Sequence, residues 1–174
     1  MWLLKPEMRP MLVVSDTSPI TNLAAVGYLN LLRELYTQIT IPQEVRDELV
    51  FGGSGNNPGA HEVQSEPWFI VASVDAQERS QLVQAYPALD IGEAAALALA
   101  VRSSTNLVLL DDKAARHAAT ALSLPHVGVV GILLAAKSRG LVALIKPILD
   151  DLRARAGFRL ADATYQDALR HAGE

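Results

Sequence analysis

Acidic side chains follow two separate apolar runs of this sequence, at the points where the runs end. Asp16 follows the run Leu12 to Ser15, and Asp111 with Asp112 follows the run Asn106 to Leu110. Both runs are short and typical of buried parallel strands. Because ligands of open parallel sheets bind beyond the carboxyl ends of the strands, we expect these acids to meet at one edge. The pattern fits a metal-dependent nuclease and a phosphatase equally.

Further acids stand on or at the start of predicted helices. Glu44 and Glu48 lie four residues apart on a predicted helix from Pro42 to Val50, hence on one face, and one of them can point toward the site. Glu93 opens a predicted helix of mostly alanine and leucine. An acid in that position either complements the helix dipole or contributes to a site, and the pattern leaves both interpretations open.

Strand and helix patterns alternate along the chain, which predicts a parallel sheet with helices on both faces. We expect a three-layer α/β/α sandwich with four to five central parallel strands, the first of them in the middle. The predicted strands are 12–15, 39–41, 68–74, 106–110 and 127–129. Ser18 is the expected N-cap of the first helix, since Pro19 follows it. A last long helix is expected over 142–155.

Length and composition favour one domain with a sizeable core. The chain has 174 residues, of which 50% are hydrophobic and 20% charged. We expect a single domain over 1–174, with its core at about 11–152 and a polar C-terminal tail at 157–174. The absence of cysteine excludes disulfides and cysteine-ligated zinc. The net charge of -4 argues against broad, nonspecific nucleic-acid binding, although clustered carboxylates lower the total.

No segment of the sequence is typical of export or membrane insertion. The longest apolar stretches are short and bounded by charged or turn residues. The stretch Met1 to Met11 lacks the apolar run and cleavage site of a signal peptide. We therefore expect a cytoplasmic protein.

The order and spacing of three motifs make the sequence resemble the PIN-domain family. These motifs are Asp16 to Ser18 after the first strand, Ile41 to Leu49 after the second, and Leu107 to Asp112 at the fourth. Segments 89–100, 111–116 and 131–137 resemble a bacterial and archaeal branch of the family that is generally described as predicted nucleic-acid-binding. PIN domains include the toxin ribonucleases of bacterial toxin–antitoxin pairs and several RNA-processing nucleases. The resemblance covers roughly 11–152.

The resemblance implies a metal-dependent ribonuclease that hydrolyses phosphodiester bonds of single-stranded RNA. Asp16 matches the family's first-strand aspartate, and Glu48 matches the glutamate after the second strand. Asp111 matches the fourth acid, with Asp112 as an alternative or helper. The third acid, usually an aspartate that opens a buried alanine-rich helix, is replaced by Glu93, eighteen residues before Asp111.

These acids imply a site for Mg²⁺ or Mn²⁺, which prefer hard oxygen ligands. In this assignment Asp16 and Asp111 are the main ligands, Glu48 bridges or holds a coordinated water, and Glu93 completes the shell, with Asp112 beside it. Without metal the clustered carboxylates repel one another, and at least one should have a raised pKa.

Substrate and partner contacts follow from the same resemblance. Thr17 or Ser18 matches the hydroxyl beside the first aspartate of many relatives, and Lys113 with Arg116 can contact phosphates. A second basic set consists of Lys137, Arg139 and Lys146. Aromatic residues make up only 5% of the chain, so extensive base stacking is not expected. The resemblance also implies a homodimer and a small antitoxin partner.

Two other functions remain open at this stage. In a phosphatase of the haloacid-dehalogenase kind Asp16 would be a covalent nucleophile, but Ser18 stands where that family has a second aspartate. A nucleic-acid- or protein-binding module without catalysis is the other alternative, because glutamate at position 93 departs from the PIN pattern. If Glu93 is not a ligand, Asp90 is the next candidate for the third acid.

Overall fold

The structure is a computed structural model, and it describes residues 11–174. Residues 1–10 lie outside the described part of the chain. The expectation that Met1 to Met11 is not a signal peptide therefore concerns residues that, except for Met11, the structure does not describe. Within residues 11–174 no helix has the length and apolar character needed to cross a bilayer.

Strands and helices alternate along the described chain, as the sequence predicts. The strands are β1 (Val13–Ser15), β2 (Ile39–Pro42), β3 (Phe69–Ala72), β4 (Leu107–Leu109) and β5 (His126–Val127). The helices are α1 (Thr17–Ala25), α2 (Asn30–Tyr36), α3 (Gln43–Phe51), α4 (Ala60–Ser65), α5 (Ala76–Ala85), α6 (Ile91–Ser103), α7 (Lys113–Ala121), α8 (Val129–Ser138), α9 (Lys146–Arg155) and α10 (Asp162–Ala172).

The five strands form one parallel sheet in the order β3-β2-β1-β4-β5. The predicted architecture is therefore confirmed, including the central position of β1. Val14 of β1 is paired with Thr40 of β2, and Ser15 with Leu109 of β4. This register brings the residues that follow β1 and β4 to the same edge of the sheet.

Two hydrophobic clusters cover the two faces of the sheet. Val13 and Leu109 belong to one cluster together with α1, α2, α8 and α9, whereas Val14 and Val108 belong to the other together with α6 and α7. This division follows from the strand period, since successive side chains point to opposite faces. In α6 every residue from Gly92 to Ala100 is buried. The alanines of this helix are small enough for its backbone to approach the sheet closely.

Two helices begin at other residues than expected, and one further helix was not expected. Helix α1 begins at Thr17 with Asp16 in the extended N-cap conformation, so Ser18 lies inside the helix and the predicted Ser18 cap is wrong. Helix α9 begins at Lys146 rather than at Val142, because Pro147 sets its first turn. Helix α4, only six residues long, gives too short a periodic pattern to be predicted.

One side chain ties the loop after α3 to the end of that helix. The Asn57 Nδ2 group donates to the carbonyls of Glu48 and Leu49, both at 3.1 Å, and to that of Gly52 at 2.9 Å. The last carbonyls of a helix have no partner within the helix. Asn57 supplies one, and it thereby fixes the helix end that carries Glu48.

We expect Asn57→Ala to lower the free energy of unfolding by about 1–3 kcal/mol, since partly buried carbonyls would lose their donor. The exposed neighbour Asn56 makes no side-chain hydrogen bond within the described residues, and Asn56→Ala is the matched control. Urea denaturation of the three proteins measures the difference. Equal stability of Asn57→Ala and Asn56→Ala would contradict the tethering role.

Candidate active site

Asp16 lies at the carboxyl end of the central strand and is almost fully buried. Its backbone N–H donates to the Leu109 carbonyl at 3.1 Å, which continues the pairing of β1 with β4. Its side chain faces the interior, and the residue is 3% exposed. The side chains whose charges act on it, Glu93, Asp90 and Glu48, are all acidic. A buried carboxylate in such a place is energetically unfavourable unless it is neutralised.

Three carboxylates converge on the backbone of Gly92. A Cβ atom at this glycine would lie 3.0 Å from Glu48 Oε2, 3.4 Å from Asp90 Oδ1 and 3.6 Å from Asp16 Oδ1. The three acids come from α3, from the start of α6 and from the end of β1. Together with Glu93 they form what we call the acid cluster.

Glu48, an exposed member of the cluster, is oriented by a hydroxyl. Thr17 Oγ1 at the start of α1 donates to Glu48 Oε2 at 2.8 Å. Glu44, one turn earlier on α3, instead forms an ion pair with Arg79 of α5. Of the two acids that the helix pattern left open, Glu48 is therefore the one that joins the cluster, as the family resemblance implied.

Glu93 caps its own helix and also faces the other acids. Its backbone N–H donates to Asp90 Oδ1 at 2.8 Å, and its Oε2 accepts from the Asp90 N–H at 2.9 Å. This reciprocal pair is a capping box. The charges of Asp90, Asp112 and Glu48 all act on the Glu93 carboxylate. Glu93 therefore acts as a cap of α6, and its carboxylate is also subject to the charges of the neighbouring acids.

The Asp111 carboxylate accepts hydrogen bonds from two donors, one at the start of α8 and one in α1. Its Oδ1 accepts from the Val129 N–H at 2.8 Å and its Oδ2 from Asn22 Nδ2 at 3.1 Å. Asp112 caps α7, since its Oδ1 accepts from the backbone N–H groups of Ala114 and Ala115. Sequence reasoning missed Asn22. The available signal was a polar residue between the apolar positions of α1.

The described carboxylates do not form a ready-made cage. Among residues 11–174 no group of three or more acidic or histidine side chains could hold a metal ion as it stands. The charges of Glu93, Asp90 and Glu48 act on Asp16, and that of Asp112 acts on Glu93. The structure therefore brings Asp16, Glu48 and Glu93 together and adds Asp90, while Asp111 follows the neighbouring strand β4 and is bound by Val129 N–H and Asn22.

Burial raises the pKa values of three acids at this edge, Asp16, Glu93 and Asp111. It raises the pKa of Asp16 to about 8; repulsion from Glu93, Asp90 and Glu48 adds to the rise, and the neighbouring Thr17 N–H opposes it. Burial also raises the pKa of Glu93 to about 7. The pKa of Asp111 is raised by burial, against the effects of Val129 N–H, Asn22 and Arg116. The sequence-based expectation of a raised pKa agrees with these shifts.

Open clefts adjoin the acids. One of about 440 Å³ lies beside Gly92; its lining consists of Glu44, Glu48, Val83, Leu89, Asp90, Ile91 and Gly92. A second, of about 280 Å³, is lined by Thr17 and Ser18 among others and shares Glu48 with the first. Both clefts give an extended ligand access to the acid cluster.

The two predicted basic sets differ in their surroundings. Lys113 and Arg116 are exposed on the first turn of α7, and the charge of Arg116 acts on Asp111. Lys137 and Lys146 instead form ion pairs with Glu174 and Asp150. The second set is thus largely engaged in contacts within the protein.

Comparison with known proteins identifies one family. A family model described as a PIN domain matches residues 12–174. The match extends beyond 152, the limit of the resemblance that the motifs carried, and includes α9 and α10. No curated protein matches the chain.

The raised pKa values predict how stability depends on pH in the metal-free protein. Between pH of about 4 and 8 the folded state binds more protons than the unfolded chain, because the pKa values of Asp16 and Glu93 lie near 8 and 7 in the fold. Stability therefore falls as the pH rises. Thermal melts in EDTA should show the midpoint falling from about pH 5 to about pH 8.

Asp16→Asn should flatten this dependence and raise the melting temperature at pH 8, because the amide carries no charge to bury. Asp47→Asn is the control, since Asp47 is half exposed and paired with Arg46 outside the acid cluster. A wild-type melting temperature that stays constant or rises over this range would contradict the assignment.

Proposed function

Since the chain belongs to the PIN-domain family, we propose that it is a metal-dependent endoribonuclease that hydrolyses phosphodiester bonds of single-stranded RNA. PIN domains are generally nucleases that use divalent metal ions. The observation that carries the proposal is the convergence of Asp16, Glu48 and Asp90 on Gly92 beside an open cleft. Membership of the PIN-domain family also argues against the alternative that the protein is a haloacid-dehalogenase-like phosphatase.

The donor set fits Mg²⁺ or Mn²⁺, since every member offers hard carboxylate oxygens. Asp16, Glu48, Glu93 and Asp111 would hold the cation, with Asp90 as an addition to the set expected from sequence. Glu48 and Asp90 are exposed, so a cation can reach their carboxylates from solvent. When bound, the divalent cation supplies charge that stabilises the phosphate in the transition state and makes a water more acidic.

The chain's own residues prepare the site before a cation binds. The Thr17 hydroxyl donates a hydrogen bond to one carboxylate oxygen of Glu48, and this contact limits the rotation of the exposed Glu48 side chain. The capping box fixes Asp90 against Glu93. The cation would displace protons from Asp16 and Glu93, whose pKa values are about 8 and 7. Proton release should therefore accompany metal binding near neutral pH.

Asp111, which matches the family's fourth acid, is oriented by the protein itself. Both of its oxygens accept hydrogen bonds, from Val129 N–H and from Asn22. It is therefore oriented at the sheet edge whether or not a cation is present. Asp112, which caps α7 with one oxygen, adds negative charge near Glu93.

The substrate strand would lie across the sheet edge. Lys113 and Arg116 offer exposed positive charge for its phosphates. Val83, Leu89 and Ile91 line the cleft beside the acids. An unstacked base can rest on such apolar side chains, which favours a single strand over a duplex. Thr17 and Ser18 line the second cleft and would contact the strand there.

We further propose that the protein is the toxin of a toxin–antitoxin pair, acts as a homodimer and is silenced by a small antitoxin protein. The support is membership of the PIN family, which includes the toxin ribonucleases of toxin–antitoxin pairs. A non-catalytic nucleic-acid- or protein-binding module is the second candidate. It is favoured by the capping box, because the Glu93 carboxylate already has a structural task there.

Metal binding tests the role of Asp16. Calorimetry with Mn²⁺ should show that Asp16→Asn weakens binding by about tenfold or more, which corresponds to roughly 1.4 kcal/mol. The amide keeps the shape of the side chain but loses the charge. Asp47→Asn should bind as the wild type does. Equal affinities of Asp16→Asn and wild type would remove Asp16 from the metal site.

The two interpretations of Glu93 are separable by substitution. Glu93→Gln keeps an oxygen that can accept from the Asp90 N–H, so thermal melts should show a folded protein. If Glu93 is a ligand, this variant should lose metal-dependent cleavage of single-stranded RNA, while Glu93→Asp should retain it. If Glu93 only caps α6, Glu93→Gln should cleave at the wild-type rate. Cleavage time courses in Mn²⁺ measure this.

Two outcomes of that assay would change the proposal. If Glu93→Gln were fully active, Asp90 would be the third acid. Its Oδ1 lies 3.4 Å from the position that a Cβ atom would take at residue 92. The absence of cleavage by wild type on every single-stranded RNA tested would favour the non-catalytic module.

A further inference from the structure

Most of the described basic side chains are neutralised by acids within the fold. Ion pairs engage Arg46, Arg79, Arg102, Lys137, Lys146, Arg153, Arg155 and Arg170. Within residues 11–174, Arg33, Lys113, Arg116, Arg139 and Arg159 have no such partner. The positive charge left for a ligand is therefore concentrated in a few positions.

Two of these arginines line one cavity beside Asp111. The cavity has a volume of about 320 Å³, and its polar lining includes Arg116 from α7, Arg159 and Thr164 from the C-terminal segment, and Asp111. Gly128 forms part of the wall; a Cβ atom there would lie 2.8 Å from Asp111 Oδ1. A glycine at this position lets the backbone before α8 approach the carboxylate, and it keeps the space open.

The C-terminal segment that carries Arg159 is firmly attached to the domain. Tyr165 and Leu169 of α10 are buried in the hydrophobic core. Just before α10, Arg153 Nη2 donates to the Leu160 carbonyl at 2.8 Å, and the Phe158 N–H donates to the Leu152 carbonyl at 3.1 Å. Although the Arg159 side chain is exposed, its backbone is thus fixed next to the cavity.

The charge balance of the cavity favours an anion. Its lining contains two guanidinium groups and one carboxylate, and both oxygens of Asp111 already accept hydrogen bonds from Val129 N–H and Asn22. Guanidinium groups bind phosphate oxygens through paired N–H donors. A phosphodiester, with one negative charge and two free oxygens, suits two arginines that line the same cavity.

We propose that this cavity, the Arg116–Arg159 cavity, binds a phosphodiester of the RNA strand next to the one that is cut. The identity of the ligand as RNA rests on the proposed function. Asp111 follows β4 and Asp16 follows β1, so a strand that crosses the acid cluster continues along the same sheet edge into the cavity. The C-terminal segment would then be part of the substrate site, which explains how a chain of net charge -4 holds a polyanion.

The test measures RNA binding in EDTA, where no metal-dependent cleavage takes place. A fluorescent single-stranded RNA oligonucleotide is titrated with the full chain at several salt concentrations. Arg116→Ala and Arg159→Ala should each weaken binding and reduce the slope of log affinity against log salt by about 0.7, the value for one phosphate contact on a single strand. The double variant should reduce the slope by about twice as much.

Matched controls separate this site from general charge effects. Arg155→Ala removes an exposed arginine of the neighbouring helix α9 that is paired with Asp151, and it should leave the slope unchanged. Arg159→Lys should keep most of the slope, because the charge stays in place. Thermal melts verify that each variant is folded, which is expected since the Arg159 and Arg116 side chains are exposed.

The outcomes distinguish this inference from the proposed function. If Arg159→Ala changes the salt slope no more than Arg155→Ala does, the C-terminal segment is not part of the substrate site, even if the protein cleaves RNA in Mn²⁺. If both cavity variants lower the slope but the wild type cleaves no RNA, the cavity is supported and the ribonuclease proposal fails.

Discussion

A carboxylate buried at the end of the central strand is the constraint on which the rest of this structure depends. Asp16 is 3% exposed, and the acids whose charges reach it raise its pKa further, to about 8. The free energy cost of charging this group is imposed by the sheet, since β1 is flanked by strands and covered by helices on both faces. A carboxylate whose charged form is unfavourable in the folded chain, but which can bind a cation, is typical of a functional site.

The surrounding elements hold the acid cluster together despite its repulsion. The alanines of α6 let that helix approach the sheet, and Gly92 leaves room for three carboxylates around its backbone. The capping box between Asp90 and Glu93 and the hydrogen bond from Thr17 to Glu48 fix side chains that would otherwise move apart. Packing energy from two hydrophobic clusters thus offsets a local electrostatic cost.

Charge is distributed unevenly over the sheet edge. The acids lie around the end of β1, whereas Lys113, Arg116 and Arg159 lie beyond β4, without acidic ion-pair partners in the described part of the chain. A polyanion is repelled by the first group and attracted by the second. A bound divalent cation would offset part of the negative charge of the acids. RNA affinity should therefore depend on the cation at one end of the edge and on the arginines at the other.

The sequence by itself determined the architecture and the place of the site. Strand and helix periods are local properties, and the edge shared by Asp16 and Asp111 follows from parallel strands. The tertiary structure alone decided that Glu44 pairs with Arg79 instead of joining the cluster, that Glu93 forms a capping box with Asp90, and that Asn22 and Arg159 flank Asp111. These choices depend on how helices distant in sequence pack against one sheet edge, because packing, not local pattern, sets the direction of a side chain.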